Sequence, residues 1–192
     1  MRNLLKLQFL ALLFPLFAQV SAQNFAHGHY IAADSSRRDG LVAFQMGQDY
    51  FLYRENKDAE PVKLRPADVL SFDWGAQTML VRNDLFVRQI VGGEAARLYL
   101  HSKPVKYAGY KDVIGEVRPG QEFFAQTYLV DRPGDASSVV VETKKKKFVP
   151  QMTAFFSDVP ELAARIEGGE FEFGDIERLV RLYNDDYAKG SN

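Results

Sequence analysis

"VETKKKKFVPQM" (residues 141–152) is where the chain changes texture. Before it, short runs rich in β-branched and aromatic residues alternate with turn residues, as in an antiparallel sheet. After it, Phe148, Met152, Phe155, Val159, Leu162 and Ile166 recur at steps of three or four, which is a helical stripe. Strands followed by helices predict an α+β fold. The expectation is an antiparallel sheet of many short strands, with strong curvature an option. Two or three C-terminal helices cap one face. The β-rich part covers 28–147 and the helical part 148–188, within a single domain over 23–192.

Working backwards from the lysines, Pro133-Gly134 fits a type II turn, since glycine supplies the positive φ. It predicts a hairpin between 122–130 and 138–143. Continued as a strand, Lys144, Lys145, Lys146 and Lys147 would run beside Glu122 and point alternately to both faces, so they make no concentrated patch. There they would discourage edge pairing of Val139-Val140-Val141. The functional alternative is contact with anionic lipid or polysaccharide, worth about 1 kcal/mol per lysine near a membrane.

Further upstream, 28–33 and 41–46 flank Asp39-Gly40, a hairpin-like turn signal. Strands are expected at 50–54 and 62–64, then a corner or one helical turn opened by Pro66. A meander over 78–82, 85–91 and 97–101 follows, with Gly92-Gly93 turning its last pair. Downstream, Asp158-Val-Pro-Glu161 reads as an N-cap with its return partner, predicting a helix break near Ser157–Asp158. Gly168-Gly169 ends the second helix. The last helix carries Ile176, Leu179, Val180, Tyr183 and Tyr187 on one stripe, with Glu177 and Arg181 paired at i,i+4.

The first 22 residues read as a secretory signal peptide. Arg2 and Lys6 precede an apolar run over 7–20, and Val20-Ser21-Ala22 offers the small residues a signal peptidase needs. The run is too short to span a bilayer, and Pro15 interrupts it. The expected product is exported to the periplasm or beyond, without a transmembrane segment. The chain has no cysteine, so disulfides, thiol catalysis and a lipid anchored on cysteine are excluded. Without Arg2 and Lys6, 22 basic residues face 25 acidic ones, a net charge of −3. A nucleic-acid partner, which calls for a basic face, is not expected.

Candidate chemistry is thin. His27 and His29 would share one face of a strand and are the best metal-ligand candidates, yet only His101 remains as a third histidine. A catalytic zinc needs about three protein ligands and a structural one four. No G-x-S-x-G elbow and no phosphate-binding loop is present. Asp68, Asp73 and Glu122 are available for a carboxylate pair assembled in space. Asn184-Asp185-Asp186 lacks the spacing and central glycine of a calcium loop. Trp74 before Gly75 is a possible loop tip able to stack on a ligand, or else a core residue. No cofactor is expected.

The signal segment, "GHYIAADSSRRDGLVAF", the corner Pro66-Ala-Asp68-Val69-Leu-Ser-Phe72, "VRQIVGGEAARLYLHS" and "IERLVRLYND" occur in that order over most of the chain. In this order they resemble an uncharacterised family of exported proteins common in Bacteroidota. Many members carry cysteine-proline where this chain has Val159-Pro160, so any thiol role would be absent here. The resemblance implies export and a β-rich body with C-terminal helices, and no activity. The expected function is a non-catalytic binding or envelope-associated module for a protein, peptide or glycan. The alternatives are a hydrolase of envelope or extracellular polymers using assembled carboxylates, or a metal-binding protein using His27 and His29.

Overall fold

The computed structural model describes residues 24–190, with side chains as far as 187. The expected leader over 1–22 lies outside the described residues. The strands are β1 (Ala26–Ala32), β2 (Arg37–Ala43), β3 (Phe51–Arg54), β4 (Val62–Leu64), β5 (Val69–Trp74) and β6 (Gln77–Arg82). They continue with β7 (Leu85–Val91), β8 (Arg97–Tyr107), β9 (Tyr110–Lys111), β10 (Val117–Arg118), β11 (Gln121–Asp131) and β12 (Val139–Val140). Three helices follow: α1 (Lys145–Phe155), α2 (Pro160–Glu167) and α3 (Ile176–Gly190). The fold is α+β. Ten strands form one open antiparallel sheet in the order β12-β11-β8-β7-β6-β5-β1-β2-β3-β4, while β9 and β10 make a separate ribbon.

The helices cover one face of one end of this sheet. Alternation puts Val91, Leu98 and Val130 on the same face. There they meet Phe148, Met152, Leu162, Ile166, Leu179 and Tyr183, all buried. The other face of β8 and β11 buries Tyr99 and Leu129 with Val87. A separate aromatic cluster joins Phe44, Phe51, Phe72 and Phe86, with Phe51 stacked on Phe72 at 4.2 Å between centroids.

Several expected boundaries move. Asp39-Gly40 lies inside β2, and the β1–β2 turn comes earlier, at Ser35 with φ 66°. Gly40 is there for close approach: a Cβ would lie 2.6 Å from the Arg54 carbonyl oxygen on β3. The corner at Pro66–Asp68 is a single 3-10 turn, closed by the Asp68 carboxylate accepting the Arg65 N–H at 2.8 Å. Beyond it Val69–Trp74 is a full strand, because Val69 and Phe72 reach the aromatic cluster. The turn at Pro133-Gly134 forms as expected, with Asp135 N–H donating to the Arg132 carbonyl and Gly134 at φ 98°.

The lysines are not strand. Lys144 is the N-cap of α1 and Lys145, Lys146 and Lys147 form its first turn, so the alternation over two faces does not occur. Pairing of β12 stops after Val141 donates to the Tyr128 carbonyl, and burial of Phe148 and Met152 then favours helix. Pro150 falls in the second turn of α1.

The break between α1 and α2 is present, but Asp158 does not cap α2. The N-cap is Val159, without a side-chain cap. Asp158 instead accepts two hydrogen bonds from Arg132, at 2.7 and 3.0 Å, and one from Tyr183 at 2.6 Å. Along α3, Leu179, Val180 and Tyr183 are buried as the stripe requires, whereas Tyr187 is exposed. Glu177 and Arg181 pair at 2.6 Å. Asn184 is a clamp on the β7–β8 loop: its Oδ1 accepts the Ala96 N–H and its Nδ2 donates to the Ala96 carbonyl.

Candidate functional site

Two places bring chemically useful groups together: a depression on β1 and β2, and a projecting hairpin arm. Pairing of β1 with β2 sets His27 opposite Leu41 and His29 opposite Asp39. One face therefore collects His27, His29, Arg37 and Asp39, and the segment after β3 adds Glu55 and Lys57, around an open depression of about 640 Å³. Gly28 lets β1 approach β5, since a Cβ there would meet the Asp73 carbonyl oxygen at 2.5 Å. That approach places His29 Nδ1 3.0 Å from Asp73 Oδ2, while Asp73 Oδ1 accepts the Thr78 hydroxyl at 2.8 Å. Arg37 grips Asp39 through Nε and Nη2, at 3.0 and 2.9 Å, and this holds the Asp39 carboxyl below its usual range.

A carboxylate-oriented histidine is two-thirds of a triad, but among the described residues no serine, threonine or tyrosine lines the depression. The three expected acids do not converge. Asp68 closes its own turn, Asp73 serves His29 and Thr78, and Glu122 pairs with Lys106 at 3.4 Å on the arm. Among the described residues no group of three or more His, Asp or Glu side chains is assembled to hold a metal ion. His101 lies elsewhere, its Nδ1 2.9 Å from the Phe86 carbonyl oxygen. Trp74 is not a free loop tip. It ends β5 half-buried against the aromatic cluster, 5.8 Å from Phe44 between centroids.

The arm was not visible in the strand pattern. β8 and β11 pair without interruption from Arg97–Asp131 to Tyr107–Gln121. Both run beyond their other neighbours, because paired β7 residues end opposite Leu100 and paired β12 residues opposite Leu129. Past Tyr107 and Gln121 the two backbones approach closely at two glycines. A Cβ on Gly109 would lie 2.7 Å from the Arg118 carbonyl oxygen, and one on Gly120 2.6 Å from that of Tyr107. The ribbon of β9 and β10 then ends in the turn Asp112-Val-Ile-Gly-Glu116, where Asp112 Oδ1 accepts the Ile114 and Glu116 N–H groups.

This tip exposes what a soluble surface usually hides. Val113 is 104% exposed, Ile114 75%, Tyr110 65% and Tyr107 60%. Farther down β11, Phe123 stacks on Tyr107 at 5.2 Å, and the neighbouring Phe124 is exposed on the opposite face. Sequence reasoning passed over this tip. The available signal is that aliphatic and tyrosine residues crowd a segment punctuated by Gly109, Gly115 and Gly120, where turns are ordinarily polar.

Lys144 to Lys147 stand near the root of this arm. β12 runs antiparallel to β11, so the chain leaves it in the direction of the arm before α1 begins. Lys147 pairs with Glu142 at 3.4 Å. The chain matches no family model, no curated protein and no solved structure.

Proposed function

We propose that this chain is a non-catalytic binding module working at the envelope of the bacterium that exports it, with the β8–β11 arm as its contact element. The convex apolar tip around Val113 and Ile114 carries the reading. A hydrolase would need acids converging in a concave cleft, and Asp68, Asp73 and Glu122 each serve separate local partners. Strong curvature of the sheet belongs to the same picture. Phe51 on β3 and Phe86 on β7 are five strand steps apart, roughly 24 Å on a flat sheet, yet their rings lie 5.8 Å apart. A body rolled around its aromatic cluster satisfies its own apolar side chains and leaves those of the arm for a partner. The leader-like segment over 1–22 and the resemblance to exported Bacteroidota proteins support the location.

Fractionation of the producing cells tests it. The chain should travel with the envelope, and a variant with 107–121 replaced by a two-residue Asn-Gly turn should move to the soluble fraction. Equal partitioning of the two proteins would refute a contact made by the arm.

A further inference from the structure

Apart from the arm, we infer that His27 and His29 form a two-imidazole site for a divalent copper ion in the depression on β1 and β2. Both histidines line it. They lie two residues apart on one strand face, about 6.6 Å along β1. His29 is the oriented member of the pair. Its Nδ1 lies 3.0 Å from Asp73 Oδ2, and a carboxylate only accepts, so in the neutral ring Nδ1 carries the proton and Nε2 keeps its lone pair. Asp73 is fixed in turn by the Thr78 hydroxyl at 2.8 Å. A carboxylate behind a histidine is the support that metal-bound imidazoles ordinarily have. Asp73 stands on β5 and does not line the depression, so the Nε2 edge of the ring is the one left for an ion there. His27 is exposed, and among the described residues its side chain makes no hydrogen bond or ion pair. Its ring is therefore free to swing to the same ion, at the ~2.0 Å of a metal–imidazole bond.

Charge favours a cation here. Around the depression Arg37 and Lys57 are offset by Asp39 and Glu55, and Arg37 is already gripped by Asp39. Among the described residues the Asp73 carboxylate has no lysine or arginine within ion-pair distance, so its negative charge is left to act through His29. The donor set then selects the metal. Two imidazoles fall short of the three or four protein ligands that zinc takes. Divalent copper binds nitrogen donors more tightly than zinc does, and it accepts a tetragonal set of nitrogen and oxygen that water can complete. The depression is open, so that water is at hand. His101 is no third ligand, because it stands on β8 against the Phe86 carbonyl.

The test is calorimetric titration of the untagged protein, purified from the producing cells, with copper(II) and with zinc. Electron paramagnetic resonance of the copper-loaded protein then identifies the ligands. One copper should bind per chain, with two imidazole nitrogens in its spectrum, and zinc should bind more weakly. His27→Ala, at an exposed position without side-chain partners, should leave a single imidazole nitrogen and an unchanged circular dichroism spectrum. Asp73→Asn keeps both histidines and should weaken copper binding about 10- to 100-fold. Absence of stoichiometric copper binding, a two-imidazole spectrum that persists in His27→Ala, or undiminished affinity in Asp73→Asn overturns the inference. The site uses no residue of the arm. Its failure therefore leaves the binding-module reading standing, and fractionation that is independent of the arm leaves the copper site standing.

Discussion

At the residue scale, the junction of Arg132, Asp158 and Tyr183 ties the turn after β11 to the α1–α2 break and to α3. The Arg132 guanidinium holds the Asp158 carboxyl at about 2, well below the usual carboxylate range, and desolvation with the Asp158 contact raises the Tyr183 hydroxyl. A carboxyl lowered in the folded state stabilises the protein above its unfolded pKa, and that stability is lost as pH falls through the folded value. Stability should therefore decline between about pH 4 and pH 2 by about 1 kcal/mol from this group, a figure discounted because the Asp158 side chain is 38% exposed. Urea melts of the wild type and Asp158→Asn across that range check it: the variant should be less stable at pH 6 and should lack this part of the acid sensitivity. Asp158 shows how a correct local signal can be outbid. Its sequence context suits an N-cap, but an arginine 26 residues away in the chain supplies two charge-assisted hydrogen bonds.

At the element scale, α1 opens with lysines where its dipole favours acids, and its first turn contains none. Lys146 is exposed, and no ion pair within the described residues involves it. Lys146→Glu should raise stability by about 0.3–1 kcal/mol at low ionic strength, with the gain fading as salt is added. An unchanged or lower urea midpoint would mean that the lysine is engaged structurally. The elements themselves were legible wherever one periodicity ran unbroken. β3, β4, β7, the turn at Pro133-Gly134, the break after α1 and the stripe of α3 follow from spacing alone. The failures share a cause. Asp39-Gly40 reads as a turn because glycine frees the backbone, whereas here it makes room for β3. β8 continues through Pro104 because beyond Leu100 it has no ladder with β7, so the missing amide is tolerated.

At the scale of the whole molecule, one continuous sheet links two separate clusters, the aromatic one around Phe72 and the helical one around Met152. Phe72→Ala and Met152→Ala, each expected to lose about 3–5 and 2–5 kcal/mol respectively, should both shift a single calorimetric transition. Two resolved transitions, each moved by only one substitution, would show that the clusters unfold separately. The buried Asp131 favours coupling, because its carboxylate takes hydrogen bonds from Arg82 on β6, Tyr99 on β8 and Ser138 just before β12. The sequence by itself determined the class of fold and the handover from sheet to helix at the lysines, because periodicity and turn chemistry act over a few residues. It also determined that thiol chemistry is absent. Only the tertiary structure decided that the lysines belong to a helix, that Asp158 serves Arg132, and that His29 meets Asp73. It alone raised 106–122 into a projecting arm. Strand alternation is the same whether a neighbour is present or not, so an uncovered apolar tip becomes visible only when the surrounding strands have stopped.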